Sequence, residues 1–299
     1  MENNSGVPTP APVQTLFLSP VATQKTDKEI ATDLVLAILA NTIPTVVEIL
    51  GKYNNFRYIN TESKTGITAL EAAIFVQSVE IVTYLLNLPG IDANKQNSRL
   101  PNNTPLTLAV SFSGENVQLT QKNAEIVRLL CYHEDIDVNK RKHGGYTPLM
   151  VAVENANLLL VNVLLECSRK TRSQIATALF NNVGLRSPFA LKNIIKNKIF
   201  SFLVTRNRKI LDINATVDDT SIAKDMTALS FAIRMGNLKI VERLLMEDNI
   251  KIPLIIKPFQ TLEQFRAKVD PEKYDMDIFV LLDKHVEQVA ALQAAAAPD

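Results

Sequence analysis

At 299 residues and 46% hydrophobic, the chain can bury a large core, which excludes disorder as a whole. Its 32 Lys and Arg nearly cancel 31 Asp and Glu, so bulk polyelectrolyte binding is not the default reading. Nine Gly, no Trp and abundant Leu, Ile and Val favour helices over a turn-rich β architecture, and two cysteines, Cys131 and Cys167, are too few for a disulfide framework.

In chain order, residues 1–29 come first, with Pro8, Pro10, Pro12 and Pro20 among Ser, Thr and Gln, a composition expected to stay a disordered leader. No basic stretch leads into an apolar one, so no Sec-type signal is visible. The apolar segment Leu34–Leu50 is interrupted by Pro44 and Glu48 and is too broken to span a bilayer. Together these predict a soluble, cytoplasmic protein.

From there a unit recurs. Thr68-Ala-Leu, Thr104-Pro-Leu, Thr147-Pro-Leu, Ser187-Pro-Phe and Thr227-Ala-Leu follow one another at spacings of 36, 43, 40 and 40 residues. Thirteen residues after the Thr come Ile81-Val, Leu160-Val and Ile240-Val, each followed by a Leu pair; Ile126-Val arrives nine residues late, which places an insertion within Ser113 to Lys122. Each unit closes on a shared ending, seen as Tyr58-Ile-Asn60, Ile91-Asp-Ala-Asn94, Ile136-Asp-Val-Asn139 and Leu211-Asp-Ile-Asn214. The Thr hydroxyl caps a first helix, and Pro at the first helical position gives up an amide that would lack a partner. The second helix carries Ile-Val and Leu-Leu on one apolar stripe, which a lone hairpin cannot bury, so neighbours must stack.

These motifs resemble the ankyrin repeat over roughly Ile30 to Pro253. The resemblance implies an all-α solenoid of helix-turn-helix units: an array over 30–256 of about five repeats behind a half-recognisable N-terminal cap, closed by a helical capping segment over 257–299. The His that often follows Thr-Pro-Leu in that family is replaced by Glu71, Thr107, Met150 and Ser230, so its hydrogen bonds must be missing or rebuilt. The Ser187 unit is degenerate, and an extra segment stands between Arg169 and Val183.

Chemistry finds little support. Cys131, His133, His143 and Cys167 could be read as zinc ligands, but the spacing is wrong and Cys131 falls on the apolar stripe, where a buried thiol serves as a small hydrophobe. Neither cysteine lies in a nucleophile motif, no phosphate-cradling Gly loop is present, and no carboxylates pair at catalytic spacing. The chain is therefore expected not to be an enzyme and to need no metal or cofactor.

A binding surface is the remaining expectation. In ankyrin-like stacks partners meet the concave side, and the positions one before and seven or eight after each Thr point there. They give Phe75, Val76, Phe112, Tyr146, Glu154, Asn155, Arg186, Arg234 and Met235 as candidate partner contacts, with Phe75, Phe112 and Tyr146 as an aromatic row unless the 113–122 insertion covers it. A second candidate is electrostatic: Arg169, Lys170, Arg172, Arg186, Lys192, Lys196, Lys198, Arg206, Arg208 and Lys209 occur with no Asp or Glu among them. An acidic protein surface is favoured over nucleic acid as its partner, because the lysines do not alternate with stacking aromatics; an anionic membrane would also suit the charge, without a span. The expected function is non-enzymatic protein binding; the alternative is a targeting module for a small catalytic or membrane-binding activity in residues 257–299. The degenerate repeats also resemble in style the ankyrin effectors that intracellular bacteria inject into host cells, which would place the partner there.

Overall fold

The structure is a computed structural model that describes residues 25–96, 98, 103–112, 117–169, 211–218, 223–247, 249–253, 255–259 and 261–296. Among them the regular elements are helices: α1 (Asp27–Leu39), α2 (Ile43–Lys52), α3 (Ala69–Phe75), α4 (Val79–Leu86), α5 (Pro105–Ser111), α6 (Val117–Tyr132), α7 (Pro148–Glu154), α8 (Leu158–Arg169), α9 (Ala228–Arg234), α10 (Leu238–Leu245), α11 (Leu262–Arg266) and α12 (Asp277–Ala296). They pair as hairpins and stack in two layers, a first-helix layer α1-α3-α5-α7-α9 and a second-helix layer running from α4 through α6, α8 and α10 to α12.

The first helices start where a side chain can cap them. Thr68, Thr104, Thr147 and Thr227 are extended, and each hydroxyl accepts the amide three residues on. Reciprocally, the residue in the place of the family's His reaches back to the Thr amide: Glu71 Oε2 at 2.8 Å, Thr107 Oγ1 at 2.8 Å, Met150 Sδ at 3.5 Å and Ser230 Oγ at 3.2 Å. The hydrogen bonding expected to be missing or rebuilt is rebuilt, as a capping box, with four different acceptors. Small residues such as Ala72, Ala73, Ala109 and Ala152 are fully buried and let successive first helices approach closely.

The shared ending explains why Asn closes each unit. Asn60 Oδ1 accepts the Asp92 amide at 2.8 Å while its Nδ2 donates to the Gly90 carbonyl at 2.7 Å. The rung repeats with Asn94 and Asp137 (2.7 Å), Asn139 and Asp212 (2.8 Å), and Asn214 and Lys251 (2.8 Å). One amide side chain can thus meet both a donor and an acceptor on the next loop, tying successive loops together at the surface of the array.

That ladder corrects the unit count. α7 packs directly on α9 as α5 packs on α7, α8 meets α10, and Asn139 holds Asp212. The array therefore passes from the Thr147 unit straight to the Thr227 unit. The repeat expected at Ser187 falls at residues outside those described, and among the described residues none stands between these two in the stack. The five stacked pairs include α1 and α2, which the sequence showed only in part because Thr32 lies inside α1 instead of capping it.

The insertion in the second full unit takes helical form from Val117: α6 has 16 residues against eight in α4. Asn123 occupies the register where Ser78, Asn157 and Asn237 cap the other second helices, yet here the helix runs through it. Its Nδ2 donates instead to the Phe112 carbonyl at 2.8 Å, tying the long helix to the end of α5.

At the far end, Phe259, Phe265, Tyr274 and Phe279 form a cluster with ring centroids 5.5–6.2 Å apart, and the Tyr274 hydroxyl donates to the Ile233 carbonyl at the end of α9. Ile278, Phe279 and Leu282 bury the first half of α12, whereas Val286, Val289 and Leu292 on its second half are exposed.

Candidate functional site

Of the nine candidate contacts, Arg186 lies outside the described residues, as do all members of the basic segment except the backbone of Arg169, which ends α8. Seven of the others sit at the C-terminal ends of α3, α5, α7 and α9, along one lip of the first-helix layer, and Tyr146 stands just before the cap of α7. Phe75 keeps 36% of its surface exposed and meets Phe112 edge to face, with centroids 5.6 Å apart and planes at 81°. Such a pair prefers this geometry because the positive ring edge faces the negative ring face. Val76 is half-buried against the core beside them.

Tyr146 does not continue that pair. Its ring lies 5.3 Å from Phe231, which is fully buried on α9, so the expected aromatic row is two separate pairs, one of which belongs to the packing between units. Burial, then the nearby Glu154 carboxylate, raises the Tyr146 hydroxyl above its ordinary pKa, with Arg234 opposing. Lys142 Nζ stands 5.3 Å over the Tyr146 ring, and the Arg234 guanidinium 5.2 Å over that of Phe231. Asn155 spends its amide on the Val110 carbonyl at 3.4 Å. Met235 is 50% exposed and free to be covered.

The sequence reading missed Leu39. Ile38-Leu39 aligns with Ile74-Phe75, because Asn41 and Gln77 take the same positive-φ turn, at 52° and 50°, before each second helix. Leu39 is 41% exposed, so the apolar part of the lip runs Leu39, Phe75, Phe112 and gives way to Glu154 and Arg234. The loop before α7 is pinned to the next unit: the Arg141 guanidinium donates to Gly145 O at 3.0 Å and to Thr216 O, and pairs with Asp218 at 3.3 Å.

The residues weighed as zinc ligands are dispersed. Cys131 and Cys167 are buried in α6 and α8, His133 Nδ1 accepts the Asp135 amide at 3.3 Å, and His143 is exposed in the loop before α7. No described helix is long and apolar enough to cross a membrane.

Comparison with known proteins agrees with this architecture. Residues 91–174 match the family model for ankyrin repeats in three copies. A stretch of 101 residues, 34% of the chain, is 31% identical to the ANK repeat-containing protein nipk-1 of Caenorhabditis elegans, of whose length it spans 15%. With its capped first helices, its apolar second helices and its Asn rungs, the chain carries an ankyrin-repeat array.

Proposed function

We propose that the chain binds a protein partner across the lip formed by Leu39, Phe75, Phe112, Glu154, Arg234 and Met235, and performs no chemistry of its own. Ankyrin repeats generally mediate protein–protein interaction. The observation that carries the assignment to this lip is the Phe75–Phe112 pair, in which Phe75 keeps 36% of its surface open to solvent while Phe112 leans on the core, beside a charged segment. Because the scaffold is fixed by stacking and by the Asn rungs, a partner would bind without ordering it. The basic segment, Arg169 to Lys209, extends the proposal to a partner with an acidic surface, and the resemblance in style to effector proteins extends it to a host protein.

Affinity capture from a eukaryotic lysate tests this, with wild type beside the Phe75→Ala/Met235→Ala double variant. Both side chains are exposed, so the thermal midpoint should stay within about 2 °C. Capture should fall at least about tenfold, the equivalent of 1.4 kcal/mol. Undiminished capture by the variant would remove the lip from the binding surface. The alternative activity in residues 257–299 has less behind it, since the aromatic side chains there are spent on covering the last repeat.

A further inference from the structure

The second helix of the second full unit contains a start that it does not use. Ser78 Oγ, Asn157 Oδ1 and Asn237 Oδ1 each accept the amide three residues on, from Ile81 at 3.4 Å, Leu160 at 3.1 Å and Ile240 at 3.1 Å. Their own amides donate back to the first helix, to Ala73 O at 3.1 Å, Ala152 O at 3.0 Å and Ala232 O at 3.1 Å. Asn123 stands in the same relation to Ile126, and Ala109 takes the place of those alanines, five residues after the capping Thr. Every group that such a start needs is present, yet α6 already runs from Val117.

The long form leaves loose ends at both helices. Asn123 is 1% exposed and its Oδ1 has no partner among the described residues, although burial makes an unmet acceptor costly. Phe112, held by its carbonyl to Asn123 Nδ2, ends α5 in an extended conformation with ψ of 96°. Val76, Asn155 and Met235 at the corresponding place have ψ between −9° and 5°. Gln121 and Lys122, just ahead of Asn123, are exposed, so little packing holds that turn of α6.

We propose that α6 has two starts, and that the choice between them sets how far Phe112 joins the lip. In the short form Asn123 leaves the helix, its Oδ1 accepts the Ile126 amide, its N–H donates to Ala109 O, and the hold on the Phe112 carbonyl is gone. Three sibling units show this geometry in the same chain. Switching gives up the exposed turn ahead of Asn123, satisfies the buried Oδ1 and gains an Asn cap, which favours a helix start by about fivefold over Ala. Phe112, which leans on the core in the long form, is then free to turn toward the partner. That last step rests on the lip proposed above as the binding surface; the two starts do not.

Amide hydrogen exchange on the full chain tests the two starts. Residues 118–122 should exchange at least about tenfold faster than residues 126–132, as a detachable turn must. Asn123→Ser and Asn123→Asp keep a cap acceptor but lose the amide that holds Phe112. Both should speed exchange of 118–122 by a further factor of about ten, with the Ile126 amide as protected as in the wild type. Asn123→Ser carries the test without placing a charge in the core. Asn123→Ala cannot cap and should leave 118–122 no faster than in the wild type. Acceleration by Asn123→Ala equal to that by Asn123→Ser would reduce Asn123 to a tie and overturn the proposal. Exchange of 118–122 at the rate of 126–132 in the wild type and the Ser variant would overturn it too, since α6 would then have one start. A lip that binds nothing leaves this exchange pattern unchanged, and a single start leaves capture through Phe75 and Met235 unchanged, so the two readings fail separately.

Discussion

Gly236 and Ala156 occupy the same place in the hairpin turns of two units, and both are left-handed, with φ of +67° and +52°. A Cβ on Gly236 would come within 3.3 Å of the Tyr274 ring, so Gly236→Ala combines a backbone penalty with a crowded cap. It should destabilise by about 1–2 kcal/mol. Ala156 is exposed and already bears the backbone penalty, so Ala156→Gly should stabilise by about 0.5–1 kcal/mol. Denaturant midpoints of the two variants that shift in the same direction would contradict this account. Tyr58 offers a different test. It is fully buried, edge on to Tyr53, and its hydroxyl has no partner among the described residues. Burial first, then its tyrosine neighbours, push its pKa up to about 12. A raised folded pKa means that the folded state holds the proton more tightly; this group leaves stability independent of pH below pH 10, and stability is lost as pH climbs from 10 to about 12. Tyr58→Phe should therefore raise stability at neutral pH by about 1 kcal/mol and weaken the alkaline loss, read as the pH dependence of the unfolding midpoint; a variant that loses stability at pH 7 would show the hydroxyl to be satisfied.

At the scale of the elements, the junction between successive units is the informative place. From the end of the second-helix stripe to the next loop's Ile or Leu the chain takes five residues at Leu86–Ile91, Cys131–Ile136 and Leu245–Ile250, but 46 at Leu165–Leu211. Joining Arg169 directly to Leu211 restores the common spacing, and the Asn139 rung to Asp212 is already formed. Excision of residues 170–210 should leave a folded array. Loop-closure entropy predicts a gain of up to about 2 kcal/mol in stability, measured by chemical denaturation, and an insoluble or much less stable product would show those residues to be part of the stack. This junction also marks what the sequence could and could not reveal. Thr-x-Leu starts and Asn endings were legible because capping and the rungs demand particular side chains. Ser187-Pro-Phe has the pattern of a cap but lies outside the described residues, and it is the contact of α7 with α9 that makes the Thr147 and Thr227 units neighbours. Leu39 was hidden for the opposite reason, since α1 continues past Thr32 and carries no start signal at the family position. Tyr146 was misplaced because the reading considered lip positions alone and not the inter-unit register, where Phe231 waited four residues after Thr227. The lengthened α6 was readable as an insertion, but not as helix, because Asn123 looks like a cap in sequence and acts as a tie in the fold.

For the whole molecule, stacking makes stability local. Each pair contacts its neighbours, so a defect at one end should not reach the other. Phe265 is the hub of the terminal aromatic cluster, touching Phe259, Tyr274 and Phe279, and it is 5% exposed. Phe265→Ala should cost about 3–5 kcal/mol in that cap, and the loss should appear as faster amide exchange in α9, α10 and α12 with α1 to α4 unchanged. Uniform acceleration across all five pairs would instead mean that the array melts as one cooperative block. The Asn rungs carry a consequence for how such an array can change over time. Each rung grips backbone groups alone, through one amide, and is indifferent to how much polypeptide has passed since the last helix ended. The loop ahead of each rung is thus an open port: a foreign domain with neighbouring termini could be grafted there, after Glu134 as readily as after Arg169, and ride on the outside of a scaffold that does not register its arrival.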